Sequence, residues 1–356
     1  MDKNKKKAVA IWLIAGVVMI IIQTLLGGVT RLTGSGLSIT EWKPIMGTLP
    51  PMNEHEWNKA FDGYKQIGQY KLMNSNFTLS DFKAIFFWEW FHRVWARMLF
   101  VVFAIGFSWF WVKKYFDKQM IKPFIILLVL GGFQGLIGWL MVKTGLNSED
   151  IHVHYIALSI HFIAAMILAC YTLWFALQLL IPEEKRFRNK AIFNFTIVVI
   201  VVVFLQLMYG GYMAGMKAAL AAPTWPSING TYIPATLSTN GWIKDTNIAA
   251  LQLNVQFIHR GLAYLLILLI AIWFWMTTKK ITDSNATMNK TKWYPIVLVC
   301  IQVLLGIFTV LSSTSIKANK FGLFETFAEL HQLVAMFLLM SMVVNLYAIR
   351  RSKSSK

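Results

Sequence analysis

Charged side chains are scarce in this chain. Asp, Glu, Lys and Arg make up 14% of its 356 residues, against roughly 25% in an average soluble domain. That deficit, with 57% apolar residues and a positive mean hydropathy, excludes a soluble globule and a disordered chain. It fits a polytopic membrane protein. Acidic residues are the scarcer sign, 16 against 34 Lys and Arg, which leaves a net charge of +18. Cysteine is nearly absent. Cys170 and Cys300 both lie inside apolar runs, which excludes a disulfide framework and a cysteine-built metal site. No small-residue cleavage site closes the apolar stretch after MDKNKKK, so that stretch reads as an uncleaved first membrane helix.

What the sequence does have is apolar runs long enough, at about 20 residues each, to cross a bilayer. Eight are predicted: residues 8–29, 86–112, 121–142, 154–181, 191–216, 248–277, 293–313 and 325–349. Twenty of the 34 cations fall on one side of these spans, in five groups of four, and 11 on the other, six of them in one long loop. Long loops count less toward orientation, so both termini are expected in the cytoplasm. Topology thereby accounts for the positive charge, and no nucleic acid partner is implied. The outer connections 30–85 and 217–247 are long. A short amphipathic helix is expected near 53–67, at the interface.

The second half of the chain resembles the first. FHRVWA (91–96) matches IHRGLA (258–263), Gln134 and Gly138 match Gln302 and Gly306, and His161 matches His331, at offsets of 167, 168 and 170. QTLLGG from Gln23 matches QLMYGG from Gln206 at an offset of 183, the excess reflecting the longer first loop. The fold class expected is an all-α integral membrane protein. Its eight transmembrane helices form a tandem duplication of a four-helix bundle, with halves 1–185 and 186–356. Both copies begin on the same side, so the repeat is parallel, not inverted.

Four of the seven histidines, His92, His161, His259 and His331, lie within the predicted spans, one in every even-numbered span. Each falls about 6–11 residues past the outer end of its span, a depth of roughly 10–16 Å at 1.5 Å per residue. They therefore share one layer. An ionisable side chain at membrane depth is a functional candidate by default; the plainer reading is packing glue between helices. Paired imidazoles from neighbouring helices suit the axial positions of a haem, and two bis-histidine haem sites follow, one per half. Zinc would need further ligands that do not accompany these residues. Haem propionates require cationic or donor partners. Arg93 and Arg260 directly follow two of the histidines, and Arg31 opens the first outer loop. His55, His152 and His154 read as loop or interface residues, and Gln23, Gln134, Gln206 and Gln302 as interhelical contacts.

The halves differ at one place. Glu89 precedes His92 by three residues, which puts both on one helix face, whereas Gln256 holds that position before His259. Arg97 follows His92 by five, where Tyr264 follows His259; Arg97 completes the candidate cofactor-binding set. A carboxyl beside a haem iron can shuttle protons or steer a substrate. Its plainer reading is an ion pair with Arg93.

These residues resemble the haem A synthase family of the mitochondrial and Gram-negative bacterial type. The resemblance runs over all eight spans. It is carried by GGVTRLTGSGLSITEWKPIMGTLPP (27–51), DFKAIFFWEWFHRVWAR (81–97), GGFQGLIGWLMVKTGL (131–146), TWPSINGTYIP (224–234), IHRGLAY (258–264) and HQLVA (331–335). Another branch of the family carries a cysteine pair in the first outer loop. This sequence has none there, which places it in the cysteine-free branch. The resemblance implies oxidation of the ring D methyl of haem O to a formyl group, through an alcohol and a diol, giving haem A for cytochrome oxidase. It implies a substrate haem at His92 and His161, a haem b cofactor at His259 and His331, and Glu89 as the catalytic carboxylate. It further implies an electron donor of the quinol or ferredoxin-reductase kind. Haem O synthase and cytochrome oxidase assembly factors are the implied protein partners, in a bacterial inner membrane. Small residues on the spans permit a homo-oligomer without specifying one. The main rival is a di-haem b-type cytochrome that only passes electrons, which explains the histidines but not a carboxylate in one half only.

Overall fold

The computed structural model describes residues 3–41, 46–147, 149–239, 247–281, 286–316 and 321–350. Of the cations used for orientation, Lys43, Lys244, Lys317, Lys320, Arg351, Lys353 and Lys356 lie outside the described residues. Twelve α-helices are described: α1 (Lys3–Leu32), α2 (Glu54–Tyr64), α3 (Gly68–Met73), α4 (Leu79–Val112), α5 (Lys118–Lys143), α6 (Tyr155–Leu180), α7 (Lys190–Gly215), α8 (Thr236–Thr239), α9 (Ile248–Lys280), α10 (Ala286–Thr291), α11 (Trp293–Leu311) and α12 (Leu323–Ala348). Eight helices among the described residues, α1, α4, α5, α6, α7, α9, α11 and α12, are long and apolar enough to span a membrane. They are the eight predicted from hydropathy.

Polar caps set where these helices begin, and hydropathy does not see caps. α4 starts at Leu79 rather than at 86, because Thr78 and Asp81 form a capping box. Asp81 N donates to Thr78 Oγ1 at 3.3 Å, and Thr78 N donates to Asp81 Oδ2 at 2.9 Å. Asp117 caps α5 by accepting from Gln119 N and Met120 N, at 3.0 and 3.2 Å. Asn189 and Asn247 do the same for α7 and α9.

Four helices form the centre: α1 packs on α6, α6 on α7, α7 on α12 and α12 on α1. The other four stand outside them, α4 against α1, α5 against α6, α9 against α7 and α11 against α12. The central core interleaves Val17 and Ile20 of α1, Met166 and Ala169 of α6, Val199 and Val203 of α7, and Met336 and Leu339 of α12. The outward faces are apolar as well. Phe100 is 64% exposed and Val129 65%, as a lipid-facing surface requires.

At the end with the short basic connections, β1 (Phe187–Arg188) pairs in parallel with β2 (Ile349–Arg350). Arg186 pins this join by donating to Tyr347 O at 2.7 Å and Ile349 O at 3.2 Å. At the opposite end the amphipathic helix expected near 53–67 forms as α2. Its apolar face packs on the extension of α4, with Trp57 against Phe86 and Phe61 against Phe82, both at 5.0 Å between ring centres. Gln69 at the start of α3 donates to Gly34 O at 3.1 Å, which ties this cap to the exit of α1.

Two measurements test this packing. Trp273 Nε1 donates to Thr196 Oγ1 at 2.8 Å, and both residues are fully buried. Thr196→Val strands that donor and is expected to cost about 1–3 kcal/mol, read as a lower melting temperature in detergent. Adding Trp273→Phe removes the stranded donor, so the double variant should lose less than the two single losses added. In the loop before α6, burial and the nearby Lys217 and Arg31 cations press the His152 imidazole down to about 4 from its ordinary 6.5. Between those two values the unfolded chain binds a proton that the folded chain refuses. Stability is therefore present above pH 6.5 and falls as the pH drops toward 4. A melting-temperature series against pH should show this fall, and His152→Gln should flatten it.

Candidate functional site

The four histidines come from the four predicted spans, on α4, α6, α9 and α12. Each lies against a glycine on the spanning helix that precedes its own. A Cβ at Gly27 of α1 would stand 3.3 Å from His92 Nε2, and one at Gly210 of α7 3.4 Å from His259 Cε1. At Gly138 of α5 it would stand 2.8 Å from His161 Cε1, and at Gly306 of α11 3.0 Å from His331 Cε1. A side chain at Gly138 would force the ring aside, and at the other three the ring would have to give by a few tenths of an ångström.

Four residues before each glycine is a glutamine on the same helix face, and all four reach the histidine. Gln23 Nε2 donates to the main-chain oxygen of His92 at 3.2 Å. Gln134 Nε2 donates to His161 O at 3.1 Å and lies 3.2 Å from Nδ1. Gln206 Nε2 lies 3.4 Å from His259 Nε2, and Gln302 Nε2 lies 3.2 Å from His331 Nε2. His331 Nδ1 meets the main-chain oxygen of Gln302 at 3.0 Å. The expected interhelical contacts are thus present, and their partner in every case is a histidine.

The histidines associate in twos. His259 and His331 face each other with ring centres 6.3 Å apart and planes at 71°. His92 has His161 as its imidazole neighbour. A metal–imidazole bond is about 2 Å long, and the bonded nitrogen lies about 1 Å from its ring centre, so two imidazoles sharing one metal axis have centres about 6 Å apart. The His259–His331 pair has that spacing. Among the described residues no three of His, Cys, Asp or Glu converge as a caged metal would need. Two axial nitrogens fit a metal whose remaining positions are filled by a macrocycle, which is the donor set of a haem.

Glu89 is 2% exposed and held from three sides. Arg93, one turn further along α4, donates to Oε1 at 2.5 Å. Ser38 Oγ and Ile39 N donate to Oε2 at 2.8 and 2.9 Å. Arg93 also donates to Ile39 O at 3.0 Å. On α9 the matching pair is Gln256 and Arg260, with Arg260 donating to Gln256 Oε1 at 2.5 Å. Here the loop is held the other way round. Gln256 Nε2 donates to Ala218 O at 2.5 Å, and Arg260 donates to Ser227 O at 3.1 Å and Ala222 O at 3.2 Å. The ion pair expected as the plainer reading of Glu89 is present.

Of the other candidate residues, Arg31 donates to Ala214 O at 3.1 Å, which links the end of α1 to the end of α7. Arg97 is half-buried, one turn along α4 from Arg93. His55 is exposed, and His154 stacks on Tyr155 at 4.7 Å. The sequence reading passed over Ser38 and Ile39, the loop partners of Glu89. It also passed over Glu329 on α12, whose two carboxylate oxygens are buried without a hydrogen-bond partner. The signal for Glu329 was an acid inside an apolar run, two residues before a candidate histidine.

The chain resembles known proteins along its whole length. It is 37% identical over 352 residues to a heme A synthase of Flavobacterium johnsoniae, covering 98% of this chain and 100% of the relative. It is 38% identical over 315 residues to the heme A synthase of Flavobacterium psychrophilum, covering 87% and 91%. To that of Cereibacter sphaeroides it is 37% identical over 321 residues, covering 86% and 81%. With these bacterial relatives and eight membrane-length helices, it is a multi-pass protein of the bacterial inner membrane. The COX15-CtaA model, described as cytochrome oxidase assembly protein, matches residues 10–343, and the chain belongs to that family.

Proposed function

We propose that this protein is a haem A synthase, an oxidoreductase that converts haem O to haem A by oxidising the ring D methyl to a formyl group. The observation that carries the reading is Glu89. Two histidine pairs sit in matching Gln–Gly surroundings, yet at the matching position three residues before the histidine α4 carries the carboxylate of Glu89 where α9 carries the amide of Gln256. An electron-transfer cytochrome has no use for that difference.

In this reading the chain is a tandem duplication with halves 1–185 and 186–356, both termini in the cytoplasm. His92 and His161 hold the substrate haem. His259 and His331 hold a haem b, which supplies a one-electron store beside the substrate site. Glu89 takes up or returns protons near the reacting methyl group. Ser38, Ile39 N and Arg93 hold its carboxylate in place against α4. Arg31, Arg93, Arg97 and Arg260 are the cations assigned to hold propionates in this reading. The electron donor is a quinol or a ferredoxin-type reductase. Haem O synthase, cytochrome oxidase assembly factors and a second copy of the chain are the partners in this reading.

The outer helices of the two halves meet differently. α9 packs along α11. α4 and α5 meet through aromatic rings beside the turn that joins them, Phe107 and Phe124 at 5.5 Å. Further along α5, Cβ atoms at Gly131, Gly132 and Gly135 would meet nothing within 4 Å.

Haem extraction from protein purified out of a haem O-producing host tests the assignment. Haem B together with haem O, its alcohol or haem A is expected; haem B alone overturns the synthase reading in favour of an electron-transfer cytochrome. Glu89→Ala should cut haem A formation by about 10²–10⁴-fold while haem B content stays constant. Normal haem A production by that variant removes Glu89 from the mechanism.

A further inference from the structure

We propose that Gln69, in the cap outside the membrane, is a positioning residue for Glu89: it fixes the loop whose Ser38 and Ile39 hold that carboxylate. This rests on the proposed role of Glu89 in haem O oxidation. The Gln69 side chain is 3% exposed and joins three segments that are distant in sequence. Tyr64 of α2 donates its hydroxyl proton to Gln69 Oε1 at 3.0 Å. Gln69 Nε2 donates to Gly34 O, just past α1, at 3.1 Å, and to Ile151 O, just before α6, at 3.4 Å. Beside it, Gly68 N donates to Asn147 O at 2.7 Å.

The donors around the amide set its orientation. Asn74 Nδ2 donates to Tyr64 Oη at 2.8 Å, so the one phenolic proton goes to Gln69 Oε1. Burial above all, offset in part by Asn74 and reinforced by Glu89, pushes that phenol up to about 12 from its ordinary 10. It therefore remains a donor at physiological pH. Both hydrogens of Nε2 are left for the two carbonyls, and every polar atom of the side chain is used.

From Gly34 the constraint reaches Glu89 along a short, braced length of backbone. Gly34 turns the chain out of α1 with a left-handed φ of +68°. Ser35 N donates to Thr30 O at 2.8 Å, and Ser38 N donates to Ser35 O at 3.2 Å. Leu37, 2% exposed, packs with Tyr64 and Phe82 in the core of the cap. The next two residues are the Ser38 and Ile39 donors to Glu89 Oε2. The second half ties its matching connections directly: Ser313 Oγ, after α11, donates to Ala219 O, after α7, at 3.2 Å. Joining these two connections is thus common to both halves, and in the first half Gln69 does it through the cap.

The test measures haem A formation by the full-length protein in membranes of a haem O-producing host, with haem O affinity and haem B content read on the purified protein. Gln69→Met keeps the length of the side chain and removes both donors. Turnover should fall by about 10–100-fold, since a misplacement of about 1 Å near the chemistry costs up to about 10²-fold, while haem O affinity and haem B content stay near wild type. Tyr70→Phe removes a hydrogen bond of the same cap, to Ser75 O at 3.1 Å, that does not reach the loop, and it should leave turnover unchanged. Ser38→Ala should lower turnover by itself. Adding Gln69→Met to it should then cost less than in the wild type, because both act on one carboxylate. Wild-type turnover in Gln69→Met overturns the proposal. So do an equal loss in Tyr70→Phe, a loss of haem O affinity as large as the loss of turnover, and losses that simply multiply with Ser38→Ala. If Gln69→Met does not fold, Tyr64→Phe combined with it removes the hydroxyl that the single variant strands, and the same outcomes apply. Wild-type protein that makes no haem A overturns the synthase reading itself, an outcome distinct from the others.

Discussion

Contact between an imidazole and a bare glycine backbone is the constraint on which this molecule is arranged. Lipid supplies no hydrophobic force to draw two helices together, so their approach depends on shape and on satisfied polar groups. Gly27, Gly138, Gly210 and Gly306 each leave room for one histidine ring of the next spanning helix. The glutamine one turn earlier then reaches the same residue from the same helix face. Fixing these helix pairs fixes the depth of all four histidines and the 6.3 Å separation of His259 and His331. A methyl at Gly138 would lie 2.8 Å from the His161 ring, a distance that only displacement of the ring or of the helix can relieve.

On that common frame the two pairs are closed by loops of opposite polarity. Glu89 accepts from Ser38 Oγ and Ile39 N, while Gln256 donates to Ala218 O and Ala222 O. In both places an arginine four residues on bridges the side chain and the loop. Exchanging Glu for Gln alone would therefore not convert one site into the other. A glutamine at 89 still has an oxygen for Arg93, and the Ser38 hydroxyl can rotate to accept from its NH₂, but that NH₂ would confront the Ile39 N–H, which can only donate. The carboxylate and the loop that receives it belong together, which is why the difference between Glu89 and Gln256 is a difference between whole sites.

Much of this was legible in the sequence, to the extent that one-dimensional signals carry it. Hydropathy found all eight spans because burial in lipid is a property of composition. It placed the start of α4 seven residues late because a capping box of Thr78 and Asp81 is polar and extends a helix beyond its apolar run. Periodicity and the internal repeat found the histidines, Glu89 and the Gln–Gly pairs. They did not reveal that each glutamine ends at a histidine, since that depends on which helix stands beside which. Ser38 and Ile39 were invisible for the same reason, Ile39 doubly so because it acts through its backbone N–H. Glu329 was the one avoidable omission: charge inside an apolar run was the rule applied to the histidines, and it applied equally to this acid.

Glu329 also shows how close the two pairs are in construction. Adjacent glycines of α1 face different pairs: Gly27 backs His92, and a Cβ at Gly28 would overlap the carboxylate of Glu329, two residues from His331. α7 repeats the arrangement, with Gly210 behind His259 and Gly211 against Ser159, two residues from His161. Each Gly–Gly step is thus a shared wall, one residue thick, between a histidine of one pair and the helix that carries a histidine of the other. Side chains at these positions would push α1 from α12 and α7 from α6, the contacts that complete the central ring of helices. The same contacts close the central ring and separate the two sites.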